Sequence, residues 1–322
     1  MSHTLCMIRI LLALLVVTTL SAQDALTGQW ALELPNHEVG WLSVEEGKVE
    51  LMWGVGSTRP VEKFDRQKDQ LSFERAIKRP LAPKDEPAPK YRITMTAEGE
   101  KLSGSMTPES GPAIVFSGKK QPPIPARPDL EGVVFGAPIR LFNGEDLDGW
   151  RVSNASKKNG WSVREGVLCN DTPKTDFGAY GEYANLRTEA EFEDFQLHAE
   201  YRLPPEVGGN SGIYLRGMYE VQVTHRDSKM QGINGPGALF GRITPTHNAG
   251  KPAGEWEEID ITLVDRHVTV VLNGEKVIDN QPVLGCTGGA LKSDATQPGP
   301  IYLQGDHTNV QYRNFVLRPV IK

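Results

Sequence analysis

Along most of this chain apolar and polar residues alternate with a period of two, the signature of strands whose faces meet different surroundings, and no stretch sustains a helical period. In the first part the alternation predicts strands over Gln29–Leu34, Trp41–Val44, Val49–Trp53, Tyr91–Thr96 and Ile114–Phe116, punctuated by Gly, Pro, Asn and Asp. Farther on, Glu191–Leu203 sends Phe195, Leu197, Ala199, Tyr201 and Leu203 to one side, and Trp256–Val264 does the same with Ile259, Ile261 and Leu263. His267–Asp279 reads as a hairpin, because Asn273-Gly274 supplies the positive φ angles of a type I′ turn. Many strands, short turns and missing helices predict an all-β chain. Its C-terminal part is a β-sandwich and its first part a small β-barrel or sandwich; parallel α/β architectures are excluded.

The most informative stretch is Asn210–Thr224, NSGIYLRGMYEVQVT. Ile213, Leu215, Tyr219, Val221 and Val223 fall on one parity, while Tyr214, Arg216, Glu220, Gln222 and Thr224 fall on the other. One face builds a core. The other aligns a guanidinium, a carboxylate and an amide, which makes it the first place to look for a sugar site.

Composition sets the context. Residues 1–22 carry Arg9 before the apolar run Leu11–Leu20 and end on small residues, the layout of a secretory signal peptide. That run is short for a bilayer, and no later segment approaches the ~18–20 apolar residues of a spanning helix. An exported protein, periplasmic or extracellular, is therefore expected. Loss of Arg9 with the leader takes the net charge from −6 to −7. A mildly acidic chain without a basic run lacks the footprint of a nucleic-acid binder. Cys169 and Cys286 could pair in an oxidising compartment or stay free, and neither has zinc-like spacing. A Pro-rich stretch over 121–137 predicts a linker between a first all-β domain at 23–120 and a second at 138–322. The first domain shows no catalytic constellation; attachment or support, with a partner in the cell envelope left open, is its expected role.

The motifs LFNGEDLDGW (Leu141–Trp150), WSVREGVLCN (Trp161–Asn170), EFEDFQLHAEYRL, GNSGIYLRG with YEVQV, GALFG (Gly237–Gly241), NAGKPAGEW (Asn248–Trp256), VVLNGEKV and GPIYLQGDHTNVQYRNFVLRP occur in this order in the second domain. Together they resemble the 3-keto-disaccharide hydrolase domain family, also called 3-keto-glycoside hydrolases. The resemblance implies a concanavalin-like jelly-roll sandwich, secretion, and cleavage of glycosides already oxidised at C3. Two places depart from the pattern: Glu257 stands where an Asn often follows the GEW tryptophan, and the closing motif reads Gln304-Gly305-Asp306-His307-Thr308.

A C3 carbonyl acidifies the C2 hydrogen, so a base can form an enolate and the C1 substituent can leave by β-elimination, after which water adds. Such a site needs a base, a donor to the enolate oxygen and a proton source for the leaving oxygen. The catalytic candidates are Glu220 as base or metal ligand, Arg216 for the enolate, and His307 with Asp306 as proton donor. Expected sugar contacts are Asn210, Tyr214, Gln222, Asn248, Lys251, Glu255, Trp256 and Gln304. For each there is a plainer reading: Glu220 paired with Arg216, Trp256 in a core, Asn248 and Lys251 merely solvated. A divalent cation held by Glu220, Gln222 and the Asp306 loop stays open. No HExxH, G-x-S-x-G, phosphate-loop or GxGxxG motif is present. Two other classes compete with the enzyme: a non-catalytic carbohydrate-binding module and a structural envelope protein.

Overall fold

Strands β1 (Gly28–Glu33), β2 (Val39–Glu45), β3 (Lys48–Trp53), β4 (Arg59–Pro60), β5 (Asp65–Gln67), β6 (Gln70–Ala76), β7 (Lys90–Glu98), β8 (Lys101–Pro108) and β9 (Ile114–Gln121) form one antiparallel sheet in the order β4-β3-β2-β1-β9-β8-β7-β6-β5. The computed structural model describes residues 24–78, 85–173, 181–205 and 209–321; the leader-like segment 1–22 lies outside them. The sheet curls until both ends share one apolar core that includes Trp30, Leu42, Leu51, Phe73, Ile93 and Phe116. Arginines bridge the seam: Arg75 of β6 donates to the Leu51 carbonyl of β3 at 3.3 Å, and Arg66 of β5 to that of Glu45 at 3.1 Å. Strand β8 has only Leu102 and Met106 as inward apolar residues. Between them Gly104 faces the Phe116 ring, which occupies the space a Cβ would need.

The remainder contributes β10 (Ile139–Arg140), β11 (Trp150–Val152), β12 (Trp161–Arg164), β13 (Val167–Asn170), β14 (Leu186–Thr188), β15 (Phe195–Arg202), β16 (Asn210–Leu215), β17 (Tyr219–Thr224), β18 (Glu257–Val264), β19 (His267–Leu272), β20 (Glu275–Pro282), β21 (Tyr302–Leu303) and β22 (Val310–Pro319). One sheet runs β12-β13-β22-β15-β18-β19-β20, with β10 on β22; the other runs β11-β14-β21-β16-β17. Their facing sides bury Phe195, Tyr201, Ile213, Val221, Ile261 and Phe315 in a common core, a jelly-roll sandwich. The chain is all-β, and among the described residues helix is limited to three single 3-10 turns. None is long and apolar enough to cross a membrane.

The two parts are not independent beads. Strand β2 is apolar on both faces: Leu42 and Val44 enter the first core, whereas Val39 and Trp41, with Met52 of β3, complete the second. Arg242 stacks over the Trp41 ring at 4.2 Å, and Gly285 lies where any side chain would collide with that indole. The Pro-rich stretch is irregular yet tied down, since the Pro122 and Pro128 carbonyls accept from Arg266 at 2.8 Å and Asn280 at 2.9 Å. Cys169 and Cys286 are both buried and free, so the disulfide alternative does not hold.

A core shared across the two parts predicts that they unfold together. Calorimetry should give one transition, and Trp41→Ala should lower stability by ~3–5 kcal/mol. Two well-separated transitions, with only the first moved by the substitution, would contradict the shared core.

Candidate functional site

Strands β16 and β17 are two arms of a hairpin, with partners Asn210↔Thr224, Gly212↔Gln222 and Tyr214↔Glu220. Paired positions share parity, so the alternation that reads as one strand survives the reversal at Arg216–Met218. Ile213, Leu215, Tyr219, Val221 and Val223 enter the sandwich core. The opposite side carries Tyr214, Glu220 and Gln222 and is extended by Tyr302, which pairs with Tyr214, and by Gln304, whose backbone N–H donates to the Gly212 carbonyl at 3.0 Å. Tyr214 and Tyr302 meet edge to face at 4.9 Å. Gly212 is glycine for a spatial reason: the Glu220 carboxyl lies across its Cα, where a Cβ would have to stand.

Glu220 is only 3% exposed. Burial pushes its carboxyl up to about 8; hydrogen bonding from Tyr214 partly offsets this, and the charge of Asp306 adds to it. The Tyr214 hydroxyl also donates to the Gly288 carbonyl at 2.9 Å. Asp306 is itself buried and accepts from His307 Nδ1 at 2.7 Å, which fixes the imidazole on its carboxylate. The turn that carries this pair is held from three sides. Asn170 donates to the Gly305 carbonyl at 2.8 Å, the Gly305 N–H donates to Asn185 Oδ1 at 2.7 Å, and Thr308 Oγ1 exchanges hydrogen bonds of 2.9 and 3.0 Å with the Asn210 backbone. Glu220, Tyr214, Tyr302 and the Asp306–His307 pair thus form one electrostatic cluster.

Arg216 does not share this face. Strand β16 ends at Leu215, Arg216 adopts φ 55 in the turn, and its guanidinium donates to the Ala295 carbonyl at 2.8 Å and to that of Gln297. It holds the segment 286–300 against the hairpin. That segment also places Thr287 Oγ1 on the Glu220 N–H at 2.9 Å. The N-terminal sheet secures its other side: the Gly54 carbonyl accepts from Gly289 N–H, Leu32 from Ser293, Gln121 Oε1 from Ala295 N–H, and Lys119 pairs with Asp294 at 2.8 Å.

Other expected sugar contacts lie elsewhere. Trp256 sits on the outer face of the eight-stranded sheet, its ring taken by Arg313 at 4.0 Å and Arg202 at 4.8 Å. Glu255 beside it is exposed. Asn248 donates to the Arg226 carbonyl and Gln231, and Lys251 to the Trp256 carbonyl, so their polar atoms serve their own loop. Glu257 is a second buried carboxyl, raised to about 7 by burial, but Lys251 N–H and Asn273 each bond it at 3.0 Å and Tyr201 adds a third contact. A carboxyl so fully satisfied is structural. Gln222 is engaged by Asn210 at 2.5 Å, and Gln304 Oε1 is a buried acceptor without a partner among the described residues. Tyr302 and Thr287 were not singled out from sequence: Tyr302 was legible from its even spacing with Gln304, whereas Thr287 sits in a loop with no period. Among the described residues, His198, Glu258 and Asp260 bring three ligand atoms together, but on the outer face.

The Glu220 titration has a definite sign. From about pH 4.5 to about 8 the unfolded chain has released this proton while the folded chain keeps it, so stability falls as pH rises through that window. Glu220→Gln cannot ionise. It should equal the parent near pH 4 and exceed it by on the order of 3–5 kcal/mol at pH 8, measured by urea midpoints. An unchanged pH profile would mean that the carboxyl is solvated.

Several known proteins are similar to this chain. A Parabacteroides distasonis structure provisionally described as a glycosyl hydrolase is 28% identical, covering 61% of this chain and 92% of its own, with a TM-score of 0.46. A second from the same organism, described alike, is 20% identical over 57% and 94%, also at 0.46. A β-1,3-1,4-glucanase (lichenase) from a mouse hindgut metagenome is 11% identical over 57% and 99%, at 0.35. These scores lend no weight to the role of any residue. No curated protein matches significantly. The profile of the 3-keto-alpha-glucoside-1,2-lyase-like domain matches residues 137–318, more than half of the sequence, and the chain belongs to that family.

Proposed function

We propose that this chain is an exported enzyme that cleaves 3-keto-glycosides by elimination across C1–C2 followed by hydration. The observation that carries the reading is a buried carboxyl raised to about 8 that feels the charge of Asp306, the same carboxylate that orients His307. The family's description as 1,2-lyase-like supports elimination over direct displacement, and the leader-like residues 1–22 support export.

Our reading gives Glu220 and His307 roles that reverse the sequence expectation, and their environments support it. Glu220 holds its proton at neutral pH and so suits the acid that protonates the departing oxygen, while His307, its Nδ1 fixed on Asp306, suits the base for the C2 hydrogen. The electron pair of the C2–H bond becomes the enolate, which expels the C1 substituent as an alcohol. Water then adds its hydroxyl at C1 and C2 regains a proton, releasing the free 3-keto sugar. A divalent cation, if bound, would be held by Asp306, Gln304 Oε1 and an ionised Glu220, displacing the Glu220 proton, and would supply Lewis-acid stabilisation of the enolate in place of that acid.

Purified protein should release aglycone from an aryl 3-keto-glucoside and leave the unoxidised glucoside intact. Run in D2O, the product should carry deuterium at C2. Glu220→Gln and His307→Ala should each lower kcat by ~10²–10⁴-fold with sugar binding retained. Turnover should fall as pH passes about 8 and Glu220 ionises. Parallel assays with chelator and with added divalent ions decide the metal question. Sugar binding without turnover under every condition would indicate the carbohydrate-binding module instead.

A further inference from the structure

The curled N-terminal sheet has a mouth, and its lining is unlike the rest of its interior. Leu71 and Phe73 of β6 point into the core, and Arg75 follows on the same parity; Tyr91 of β7 likewise precedes Ile93. A period-two strand that switches from Phe to Arg as it leaves the core places the guanidinium at the rim. Arg59 of β4 lies opposite Leu51 and so faces the same side across the seam. The result is a cavity of about 890 Å³ whose walls include Trp53, Tyr91, Met106, Ile114, Arg59 and Arg75. That volume falls within the ~300–1,000 Å³ of small-molecule sites, and the mouth of a barrel is a common place for one.

The charges in it are unbalanced. Among the described residues Arg75, which is half-buried, makes one hydrogen bond, to the Leu51 carbonyl, and neither arginine has a carboxylate within 4.0 Å. Burial first and then the Arg59 charge lower the Arg75 pKa. Glu38 also lines the hollow, as does Lys78. Two guanidinium forks facing one hollow match a carboxylate bidentately. Trp53, held edge-on by Phe116 at 5.0 Å, and Tyr91 offer aromatic surface to the C–H side of a ring.

We infer that the mouth of the N-terminal sheet is a second carbohydrate site, separate from Glu220, that takes a sugar bearing a carboxylate, a uronic acid residue. The carboxylate follows from Arg59 and Arg75 and the ring from Trp53 and Tyr91; the choice of a sugar over another small carboxylate rests on the carbohydrate-directed reading of the sandwich. No residue of this mouth lies within 137–318, the part that matches the family.

Isothermal titration of the full chain with a glucuronic-acid disaccharide, with a neutral glucose disaccharide and with citrate tests it. The uronate should bind, with Trp53 fluorescence perturbed, and the affinity should fall severalfold between 50 and 500 mM salt. The neutral sugar and citrate should bind at least tenfold more weakly. Arg75→Gln should lower uronate affinity at least tenfold; Arg59→Ala, at an exposed position that folding does not need, should lower it severalfold. Glu220→Gln should leave it unchanged, which separates this site from the sandwich whatever the fate of the 3-keto reading. No uronate binding at millimolar concentration, affinity indifferent to both arginines, or equal binding of the neutral sugar or of citrate would each overturn the inference.

Discussion

A carboxyl kept out of water on the outer side of a five-stranded sheet is the constraint to which the surrounding structure answers. Removing a carboxylate from solvent without a cationic partner is costly, and a protein meets that cost by letting the group keep its proton. Glu220 does this. Gly212 yields the space for it, Tyr214 gives it a hydroxyl, and Asp306 discourages its ionisation instead of relieving it. Glu257 shows the contrast within the same fold: an equally buried carboxyl, surrounded by donors that account for it. The difference between the two separates a carboxyl left short of donors from one that fastens a loop.

What keeps water from Glu220 is not supplied by the sandwich alone. The segment 286–300 shields the hairpin, Arg216 grips it from one side and the N-terminal sheet from the other through Gly54, Leu32, Gln121 and Lys119. An arginine that looks catalytic by its strand parity thus fastens the segment 286–300 to the hairpin.

Much of this was legible in the chain because period-two alternation is a local signal. It located β15, β18 and the β19–β20 turn, and it put Glu220, Gln222 and Tyr214 on one side while reading β16 and β17 as a single strand. It failed where a residue left the strand: a three-residue turn carries Arg216 off the face while its parity still appears to include it. Trp256 and Lys251 misled for a related reason, since a sequence motif gives proximity along the chain and not the side of the sheet on which a ring emerges. Strand β8 was missed because its inward middle position is Gly104, apolar in effect only through the Phe116 ring that fills it. The Asp306–Glu220 coupling joins β17 to a turn after β21, and no local pattern reports such a pairing.

Strand β2, greasy on both sides, has a consequence for how such chains are inherited. The segment recognised by similarity, 137–318, is smaller than the body that shields its own oily surface, because Val39, Trp41 and Met52 come from outside it. A relative that carried the recurring segment alone would need different residues on the surface where Trp41 now packs. In this lineage the preceding sheet and the sandwich are therefore bound to evolve as one object, each substitution along their contact answered on the other side.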